Sequence, residues 1–454
     1  MAAISETAVN ELASGFSGEL VRPGDASYDD VRKIFNGMID RKPALIARAR
    51  TTADLAATVR FAAAAGLPLA VRGGGHAIAG FSMINDAIVA DCSLMNEVTV
   101  DPKARTITAG PGCRWRDVDS TAGAHGLATP GGTISSTGIA GFTLGGGLGF
   151  LAKKFGLACD NLIDAEVVLA SGDVVRANAR ENTDLFWAIR GGGGNFGIVS
   201  SFTFQAHPVT DVTFAMFMWP AAEGLDHLKF YRDYFPDTPP EVVALGAFAT
   251  APPLPFVPEH IQGTEILLMG VVYIGPQDEA EPWVKPVADR APAASAVIPM
   301  PYMFAQQLLD SSAPEGVRNY WRSAFMDTAP DGALEVMAEA GPKKGSHLSM
   351  IQLINVGPSP EVDNAFQGRE HTFLYHLISA WEDPADDEKN IGWNTKLAQD
   401  LAPFSSKGAY LNFIGDEGST RVRNTFGPKY DRLVELKRTF DPNNMFRYNQ
   451  NIAP

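Results

Sequence analysis

The sequence predicts an α+β fold, with a glycine-rich domain followed by a domain whose antiparallel sheet is covered by helices. Three observations support this. Short strand-like runs alternate with glycine-rich loops between Arg72 and Gly197. After His207, long β-type runs alternate with helical stretches and proline-rich connections. From about Lys407 the pattern changes again, to an irregular segment and one helix.

The first part shows clear local signals for short elements. Thr51 and Asp54 form a capping-box pattern, and the alanine-rich run after them predicts a helix that ends at Gly66. PLAVR and AIVAD then predict strands on either side of the first glycine loop, and EVTVD and TITAG predict two more. IDAEVVLA and DVVRANA flank a Ser-Gly-Asp turn, which predicts a hairpin.

The second part carries longer β-type runs. EILLMGVVYIG, SHLSMIQLINVG and HTFLYHLISAW predict strands of a sheet, and DGALEVMAEA and NIGWNTKLAQDL predict helices that cover it. A domain of roughly 200 residues is expected here. The helix YDRLVELKRTF and the closing DPNNMFRYNQNIAP follow in the tail.

Composition and charge exclude several classes of protein. The chain has 454 residues, of which 45% are hydrophobic and 20% charged, so intrinsic disorder is excluded. The formal net charge is −15, with no run rich in Lys or Arg. Because a nucleic-acid binder needs basic patches that neutralise phosphates, we expect neither DNA nor RNA as a partner.

The cysteines and the N-terminal residues predict a cytoplasmic protein. Cys92, Cys113 and Cys159 show no CxxC spacing, as a reducing compartment allows. The first 20 residues lack the continuous apolar region of a signal peptide, and no run is long enough to span a bilayer. We therefore expect no membrane association, and a monomer or homodimer.

The glycines concentrate in three loops. They lie near Gly73–Gly75, between Gly131 and Gly149, and between Gly191 and Gly197. The third loop contains a GxGxxG pattern, but a helix-like segment precedes it and a strand follows, which is the reverse of a Rossmann turn. No Lys-Ser or Lys-Thr follows a loop, so a P-loop is excluded. Glycine-rich backbone can bind anions, which predicts a pyrophosphate-bearing cofactor held without a Rossmann helix.

Four segments carry a family resemblance: VRGGGHAIAGFS, TPGGTISSTGIAGFTLGGGLGFLAKKFGLACDNL, DLFWAIRGGGGNFGIV and FDPNNMFRYNQNI. They resemble the FAD-contacting segments of the berberine bridge enzyme-like FAD-linked oxidases, within the vanillyl-alcohol oxidase superfamily. The chain is also similar to bacterial hydroxynicotine oxidases. The resemblance implies a PCMH-type FAD-binding domain of two α+β subdomains at 1–206, a substrate domain at 207–405, and a segment at 406–454 that returns to the FAD-binding domain.

The resemblance implies which residues contact FAD. In this family the histidine of the first glycine motif is bonded covalently to the flavin 8α-methyl, and His76 holds that position. Many relatives add a second bond from a cysteine, but Ile134 stands there, so a single bond is expected. The other implied FAD contacts are Arg72, Gly73, Gly74, Gly75, Gly80, Ser82, Gly132, Thr133, Thr137, Gly138, Gly141, Gly145, Gly147, Asn161, Gly197, Val199, Asn412 and Asn449.

The segment AYLNF is similar to the family's YxN motif. By that resemblance Tyr410 is the catalytic base and Asn412 contacts the flavin. Strand alternation would place both on one face. A phenol ionises near ~10, so Tyr410 needs neighbours that lower its pKa. The hydroxynicotine oxidases lack this tyrosine. By the same resemblance, Thr137 falls near the position at which family members control dioxygen access to the flavin, and its size favours an oxidase.

Substrate contacts are expected from the antiparallel sheet of the second domain. Alternation along HTFLYHLISAW puts Tyr375 and His376 on opposite faces. Gln352, Tyr375 and His376 are the candidates, and core packing is an equal alternative for each. Trp321 and Phe325 are equally compatible with the core. Because polar residues are sparse in this domain, the expected substrate is a medium-sized, partly apolar or aromatic alcohol and not a long oligosaccharide.

Together these features predict a flavoprotein oxidase. A small or medium-sized alcohol, or the hydroxyl of a secondary metabolite, would transfer hydride to FAD while Tyr410 removes the proton, and dioxygen would be reduced to hydrogen peroxide. The alternatives are an FAD-linked dehydrogenase or C–N oxidase that uses another acceptor, and a non-catalytic flavin-binding protein. No metal site is expected.

Overall fold

The computed structural model describes residues 4–357, 359 and 361–454. Its first part holds eleven short strands. They are β1 (Glu19–Val21), β2 (Leu45–Arg48), β3 (Leu69–Arg72), β4 (Ile88–Asp91), β5 (Val98–Asp101), β6 (Thr106–Ala109), β7 (Leu127–Ala128), β8 (Leu162–Val168), β9 (Val174–Asn178), β10 (Ile198–Gln205) and β11 (His207–Pro208).

These strands form two main sheets and one short pair. The first sheet has the order β1-β2-β4-β3, in which β4 is parallel to both β2 and β3. The second is antiparallel with the order β5-β6-β10-β8-β9, and β7 pairs with β11. β8 and β9 form the predicted hairpin. The first glycine loop leaves the end of β3, so the loop starts at the edge of the first sheet.

In the second part, the described residues form one antiparallel sheet of seven strands. Its order is β15-β12-β14-β13-β17-β18-β16. The strands are β12 (Asp211–Pro220), β13 (Val242–Thr250), β14 (Glu265–Tyr273), β15 (Ala294–Pro301), β16 (Arg318–Met326), β17 (Met350–Asn355) and β18 (Phe373–Trp381). The three runs predicted as strands are therefore neighbours or near neighbours in one sheet.

Helices pack on one face of the seven-stranded sheet and around the first two sheets. In the first part they are α1 (Glu6–Ser14), α2 (Tyr28–Val31), α3 (Thr52–Ala65), α4 (Trp115–Gly123), α5 (Ile139–Leu144), α6 (Ala152–Phe155) and α7 (Thr183–Ile189). In the second part they are α8 (Gly224–Tyr234), α9 (Gln277–Ala288), α10 (Tyr302–Ala305), α11 (Asp331–Ala340) and α12 (Asp387–Leu401). The last two are α13 (Ser419–Phe426) and α14 (Tyr430–Phe440).

The local signals in the sequence are confirmed for several elements. Thr51 and Asp54 form a reciprocal capping box at the start of α3, and Gly66 ends that helix in the left-handed conformation. This arrangement satisfies backbone groups at both helix ends that have no partner within the helix. No helix in the described part of the chain is long and apolar enough to cross a membrane.

The hydrophobic core is divided between the two parts. One cluster lies between the second sheet and α4, α5, α7 and α14, and includes the fully buried Trp115 and Phe202. Another lies between the seven-stranded sheet and α8, α11 and α12, and includes Trp219 and Tyr231. The opposite face of the seven-stranded sheet is directed at the first part, where the glycine loops lie.

Polar contacts fasten the two parts together. Arg369 donates to both carboxylate oxygens of Asp160 at 2.9 and 2.5 Å, and both side chains are buried. Asp310 accepts hydrogen bonds from the backbone N–H and the hydroxyl of Ser135 at 2.7 and 2.6 Å. Ser135 lies within the second glycine loop. The second part therefore holds that loop in place.

Candidate active site

A cavity lies where the three glycine loops meet the C-terminal segment. Residues from 73–82, 137–145, 193–199, 411–414 and 446–450 line it. The following predicted FAD contacts are among the lining residues: Gly73, Gly74, Gly75, His76, Ser82, Thr137, Gly138, Gly141, Gly145, Gly197, Val199, Asn412 and Asn449.

Close backbone approach explains the glycines of the first two loops. A Cβ atom on Gly74 would lie 2.5 Å from the Cα of Gly138, and a Cβ on Gly138 would lie 2.5 Å from the Cα of Gly74. The two loops therefore touch through their backbones. By contrast, a Cβ on Gly141 or Gly194 would meet no protein atom within 4 Å. Both residues present bare backbone to the cavity, which fits a large cofactor such as FAD.

Six predicted FAD contacts lie outside the cavity lining: Arg72, Gly80, Gly132, Thr133, Gly147 and Asn161. Arg72 instead donates to the carbonyl of Val31. A Cβ on Gly80 would lie 2.8 Å from the side chain of Ile39. Both residues therefore contact protein atoms outside the cavity lining, and their roles as FAD contacts stay predictions.

The remaining members of this group have structural contacts too. Asn161 donates to the carbonyls of Phe155 and Leu157 at 3.0 and 2.9 Å, which closes the turn after α6. A Cβ on Gly132 would lie 3.1 Å from the ring of Phe142. The N–H of Gly147 is directed at the C-terminal segment. These residues act on the cavity through the loops that they hold.

His76 lies at the end of the first loop and faces the cavity. Its ring stacks on Phe35 with 3.8 Å between centroids, and Nε2 lies 3.5 Å from the hydroxyl of Ser136. Removal from bulk water, with a smaller contribution from the positive charge of Arg114, lowers the pKa of His76 to about 4. The imidazole is therefore neutral near pH 7, which is the form that can act as a nucleophile.

The cysteines are buried and their thiols are protonated. Burial raises the pKa of Cys113 to about 12 and raises those of Cys92 and Cys159 as well. Cys92 lines the cavity, whereas Ile134, at the position of the family's second attachment cysteine, is not part of the lining. A thiol that stays protonated is a poor nucleophile.

Tyr410 lies directly before a 3₁₀ turn, whereas the sequence pattern predicts a strand with alternating faces at this position. The turn spans Leu411–Phe413 and directly follows Tyr410. It folds the chain back so that the amide of Asn412 donates to the phenol oxygen of Tyr410 at 2.9 Å. The two side chains are neighbours, as predicted, but through a turn. Asn412 lines the cavity and Tyr410 lies behind it.

Three N–H groups converge on the phenol oxygen of Tyr410. The backbone N–H of Gly147 donates at 3.0 Å and that of Leu148 at 2.8 Å, in addition to Asn412. A neutral phenol oxygen accepts two hydrogen bonds, so three donors suit a phenolate. These three hydrogen bonds lower the pKa of Tyr410, but burial has the larger effect and raises the pKa to about 12.

The seven-stranded sheet separates the three substrate candidates. Tyr375 lies in the core between the sheet and its covering helices, so the expected substrate contact is corrected to core packing. His376 and Gln352 are cross-strand partners on the opposite face, which looks toward the glycine loops. The Nδ1 of His376 lies 3.3 Å from Oε1 of Gln352. Phe325 is buried on that face against Tyr410 and Phe366, whereas Trp321 is only partly buried.

An aromatic series links the cavity to this sheet face. Phe35, which stacks on His76, meets Trp321 at 6.1 Å between centroids. Trp321 in turn lies 4.9 Å from His376, and His376 stacks on Phe413 at 3.9 Å. Phe35 and Phe413 were not predicted. Phe413 adjoins the YxN motif, which was the only signal for its role.

Known proteins resemble this chain over nearly its whole length. A family profile described as "FAD binding domain" matches residues 43–178, and one described as "Berberine and berberine like" matches residues 409–453. An FAD-linked oxidoreductase of Dictyostelium discoideum is 30% identical, and the alignment covers 98% of this chain and 97% of that protein. The chain belongs to the berberine bridge enzyme-like FAD-linked oxidoreductases.

Other members of the berberine bridge enzyme-like family agree with this assignment. The (R)-6-hydroxynicotine oxidase of Paenarthrobacter nicotinovorans is 28% identical, with 98% of this chain and 99% of that one covered. The crystal structure of 6-hydroxy-D-nicotine oxidase from Arthrobacter nicotinovorans superposes with a TM-score of 0.85 at 26% identity, covering 97% of this chain and 98% of that one. A berberine bridge enzyme-like protein of Physcomitrella patens shares the fold, with a TM-score of 0.88 at 22% identity, covering 98% and 99% of the two chains.

Membership in the berberine bridge enzyme-like family confirms several predictions. The chain is an FAD-binding oxidoreductase, and its α+β fold with antiparallel sheets is the family's fold. The two matched ranges contain four of the five stretches that line the cavity, and the stretch 193–199 lies outside them. The sequence and the structure therefore point to the same site.

Proposed function

We propose that the protein oxidises a small or medium-sized alcohol, including hydroxyls of secondary metabolites, with FAD bonded to His76 and dioxygen as electron acceptor. The observation that carries the proposal is Tyr410, whose oxygen sits among three N–H donors directly behind the cavity. An alcohol that becomes a carbonyl loses a hydride from carbon and a proton from oxygen. A site for that proton is therefore required.

The cavity residues support the way in which FAD would be held. The bare backbone of Gly141 and Gly194 gives room for the cofactor, and the neutral His76 faces the same space. Asn412 would orient the flavin with the amide that also contacts Tyr410. When bound, FAD supplies the hydride acceptor and returns electrons to dioxygen, which yields hydrogen peroxide.

Tyr410 would hold the substrate proton on its phenol oxygen. The N–H groups of Gly147, Leu148 and Asn412 stabilise the anionic form that accepts this proton. Two of these groups belong to backbone that the second glycine loop fixes, so they need no rearrangement during the reaction. Because burial raises the pKa of Tyr410 to about 12, the active anion becomes more abundant as the pH rises.

Thr137 supports dioxygen as the acceptor. It lines the cavity in the second glycine loop, and its side chain is about the size of valine. A side chain of that size leaves room for a small diatomic molecule beside the flavin. Substitution by leucine is expected to slow flavin reoxidation while leaving reduction by substrate unchanged.

A second candidate is oxidation of a hydroxynicotine-type compound. The 28% identity to (R)-6-hydroxynicotine oxidase over 98% of the chain favours it. The alternative to dioxygen as the electron acceptor is an FAD-linked dehydrogenase or C–N oxidase that passes electrons to another acceptor. A flavin-binding protein without turnover has no use for the donors that surround Tyr410.

The deciding experiment is anaerobic flavin bleaching with a panel of alcohols, sugars and cyclic amines. We expect at least one alcohol to bleach the flavin, and admission of air to restore the colour with about one equivalent of peroxide per turnover. Bleaching by cyclic amines alone would replace the alcohol assignment by the second candidate. Rapid dye reduction without peroxide would identify a dehydrogenase.

The covalent bond is tested by denaturing the holoprotein in acid. We expect the yellow colour to precipitate with the wild-type protein and to leave with the supernatant for His76→Ala. Release of all flavin from the wild type would show that His76 does not hold the cofactor covalently, whatever the substrate is.

A further inference from the structure

A row of polar side chains crosses three neighbouring strands of the seven-stranded sheet. Ser323 on β16 is paired with His376 on β18, and His376 is paired with Gln352 on β17. Side chains at directly opposed positions lie on one face and are about 4.5–5.5 Å apart at Cβ. Their neighbours on this face include Leu374 and Ile354, so the row is a polar strip on an apolar surface.

Two atoms of this row have no hydrogen-bond partner among the described residues. They are Nε2 of His376 and the hydroxyl oxygen of Ser323, both on side chains that are at most 2% exposed. Because Oε1 of Gln352 can only accept, the Nδ1 of His376 donates to it. The Nε2 atom is then an unprotonated acceptor. A buried acceptor that is left unpaired is destabilising, which favours a ligand that pairs with it.

The face of the sheet that carries the strip is less completely buried than the face under the helices. Along β17, Met350, Gln352 and Ile354 are partly exposed, whereas Ile351 and Leu353 on the other face are buried. Trp321 and Ile378 beside the strip are partly exposed as well. This partly exposed face is the one directed at the glycine loops, and a substrate that binds between them would approach the strip from there.

We propose that His376 and Ser323 together bind a neutral hydroxyl group of the substrate. Nε2 of His376 accepts a hydrogen bond from the substrate's hydroxyl, and the Ser323 hydroxyl donates a hydrogen bond to the oxygen of the same group. A carboxylate would be repelled, because its negative charge would face the lone pair of Nε2. An ether oxygen has no hydrogen to donate, so it could form a hydrogen bond with Ser323 alone. The assignment rests on the proposed function, because the bound molecule is the alcohol that is oxidised.

The geometry distinguishes this hydroxyl from the one that reacts. The ring of Phe413 lies between His376 and Tyr410, with centroid distances of 3.9 Å to the first and 4.8 Å to the second. His376 is therefore one aromatic ring away from the proposed proton acceptor. The substrate class is a compound with an apolar or aromatic ring that separates the oxidised hydroxyl from a second hydroxyl. Trp321 and Phe413 provide the aromatic walls for that ring.

The test is equilibrium binding of simple ring compounds to the holoprotein. Binding is measured from the change that each compound causes in the flavin absorbance. Phenol carries a hydroxyl, anisole carries the ether in its place, and benzoate carries a carboxylate. We expect phenol to bind at least about tenfold more tightly than either of the others. In His376→Phe, which keeps a ring against Phe413, the phenol-to-anisole ratio should fall to about one. Ser323→Ala should weaken phenol binding as well.

Two controls separate recognition from folding. His347→Phe changes an exposed histidine and should keep the ratio, and flavin content and melting temperature establish that each variant is folded. Equal binding of phenol and anisole by the wild type, no phenol binding, or an unchanged ratio in His376→Phe would overturn the inference. None of these measurements needs turnover. The binding test can therefore refute this inference whether or not the peroxide assay supports the proposed function.

Discussion

At the scale of single residues, the hydrogen-bond environment of Tyr410 determines its chemistry. Three N–H donors and deep burial act on one oxygen in opposite directions, and burial has the larger effect. The result is a phenol that is protonated at neutral pH but surrounded by groups that would stabilise its anion. Proton acceptance should therefore depend steeply on pH.

Replacement of Tyr410 by phenylalanine tests this balance. We expect the variant to remain yellow and its flavin reduction by an alcohol to slow by about 10²–10⁴-fold, the usual contribution of a general base. Reduction by the wild type should accelerate as the pH rises from 7 to 10, because the pKa is about 12, and this rise should be absent in the variant. Stopped-flow absorbance measures both quantities.

A purely structural role for Tyr410 gives a different result. The substitution leaves the N–H groups of Gly147 and Leu148 without a partner, which lowers stability in either case. A lower melting temperature with an unchanged pH profile would remove Tyr410 from the mechanism.

The contact between Gly74 and Gly138 gives a second prediction at this scale. In Gly74→Ala the new Cβ would lie 2.5 Å from the Cα of Gly138, so the first two loops must separate. We expect a protein purified with much less flavin than the wild type, measured by the ratio of absorbance at 450 and 280 nm (roughly the flavin and protein maxima). Gly392→Ala, at an exposed helical position with open space, should keep its flavin.

At the scale of elements, the end of α14 anchors both the third glycine loop and the C-terminal segment. Lys437 is fully buried and donates to Asp441, to the carbonyl of Asn195 and to the carbonyl of Phe446. Asp441 also accepts from the backbone of Met445 and Phe446. One ion pair thus connects a helix, a loop and the tail that line or border the cavity.

Removal of Lys437 should be costly for that reason. In Lys437→Met the carboxylate of Asp441 stays buried without its cation, and we expect a loss of about 3–5 kcal/mol in the free energy of unfolding. Lys396→Met breaks an exposed pair with Asp400 at the same helical spacing, and should cost less than about 1 kcal/mol. Denaturant titration compares the two, and equal losses would contradict the anchoring role.

The sequence was informative for elements and less so for side-chain placement. Capping at Thr51, the hairpin of β8 and β9 and the strands of the second part follow local patterns, and the structure confirms them. Alternation separated Tyr375 from His376, but only the fold shows that the helices cover Tyr375. The 3₁₀ turn after Tyr410 and the pairing of Ser323 with His376 depend on distant segments, so no local pattern predicts them.

At the scale of the whole molecule, the seam between the two parts contains buried polar groups. Gln306, just after α10, donates to Asp119 of α4 and to the carbonyl of Gly132 at 3.1 and 3.0 Å. The domain bounds at 206 and 405 remain a prediction, supported by the sheets that lie on either side of them. The seam is where one part can affect the stability of the other.

Asp119 makes the stability of the seam depend on pH. Burial raises its pKa from 3.8 to about 7. The folded protein therefore retains a proton that the unfolded chain loses, so the stabilising contribution is complete below pH 3.8 and is lost as the pH rises through about 7. We expect Asp119→Asn, which mimics the neutral acid, to raise the melting temperature more at high pH than at low pH.

The control for this prediction is Asp211→Asn at the exposed start of β12. Its effect on the melting temperature should be small and the same at both pH values. An Asp119→Asn effect that is independent of pH would show that the carboxyl is already ionised in the folded state.

The cavity lining runs from Leu69 to Gln450 in the chain. On the ribosome, the loops near His76 emerge long before the residues at 446–450 that complete the wall. A nascent chain therefore exposes half of a flavin site while the rest is still being translated. We expect stable cofactor loading to follow the synthesis of residues 446–450, so flavin incorporation comes late in the biogenesis of the FAD-binding site.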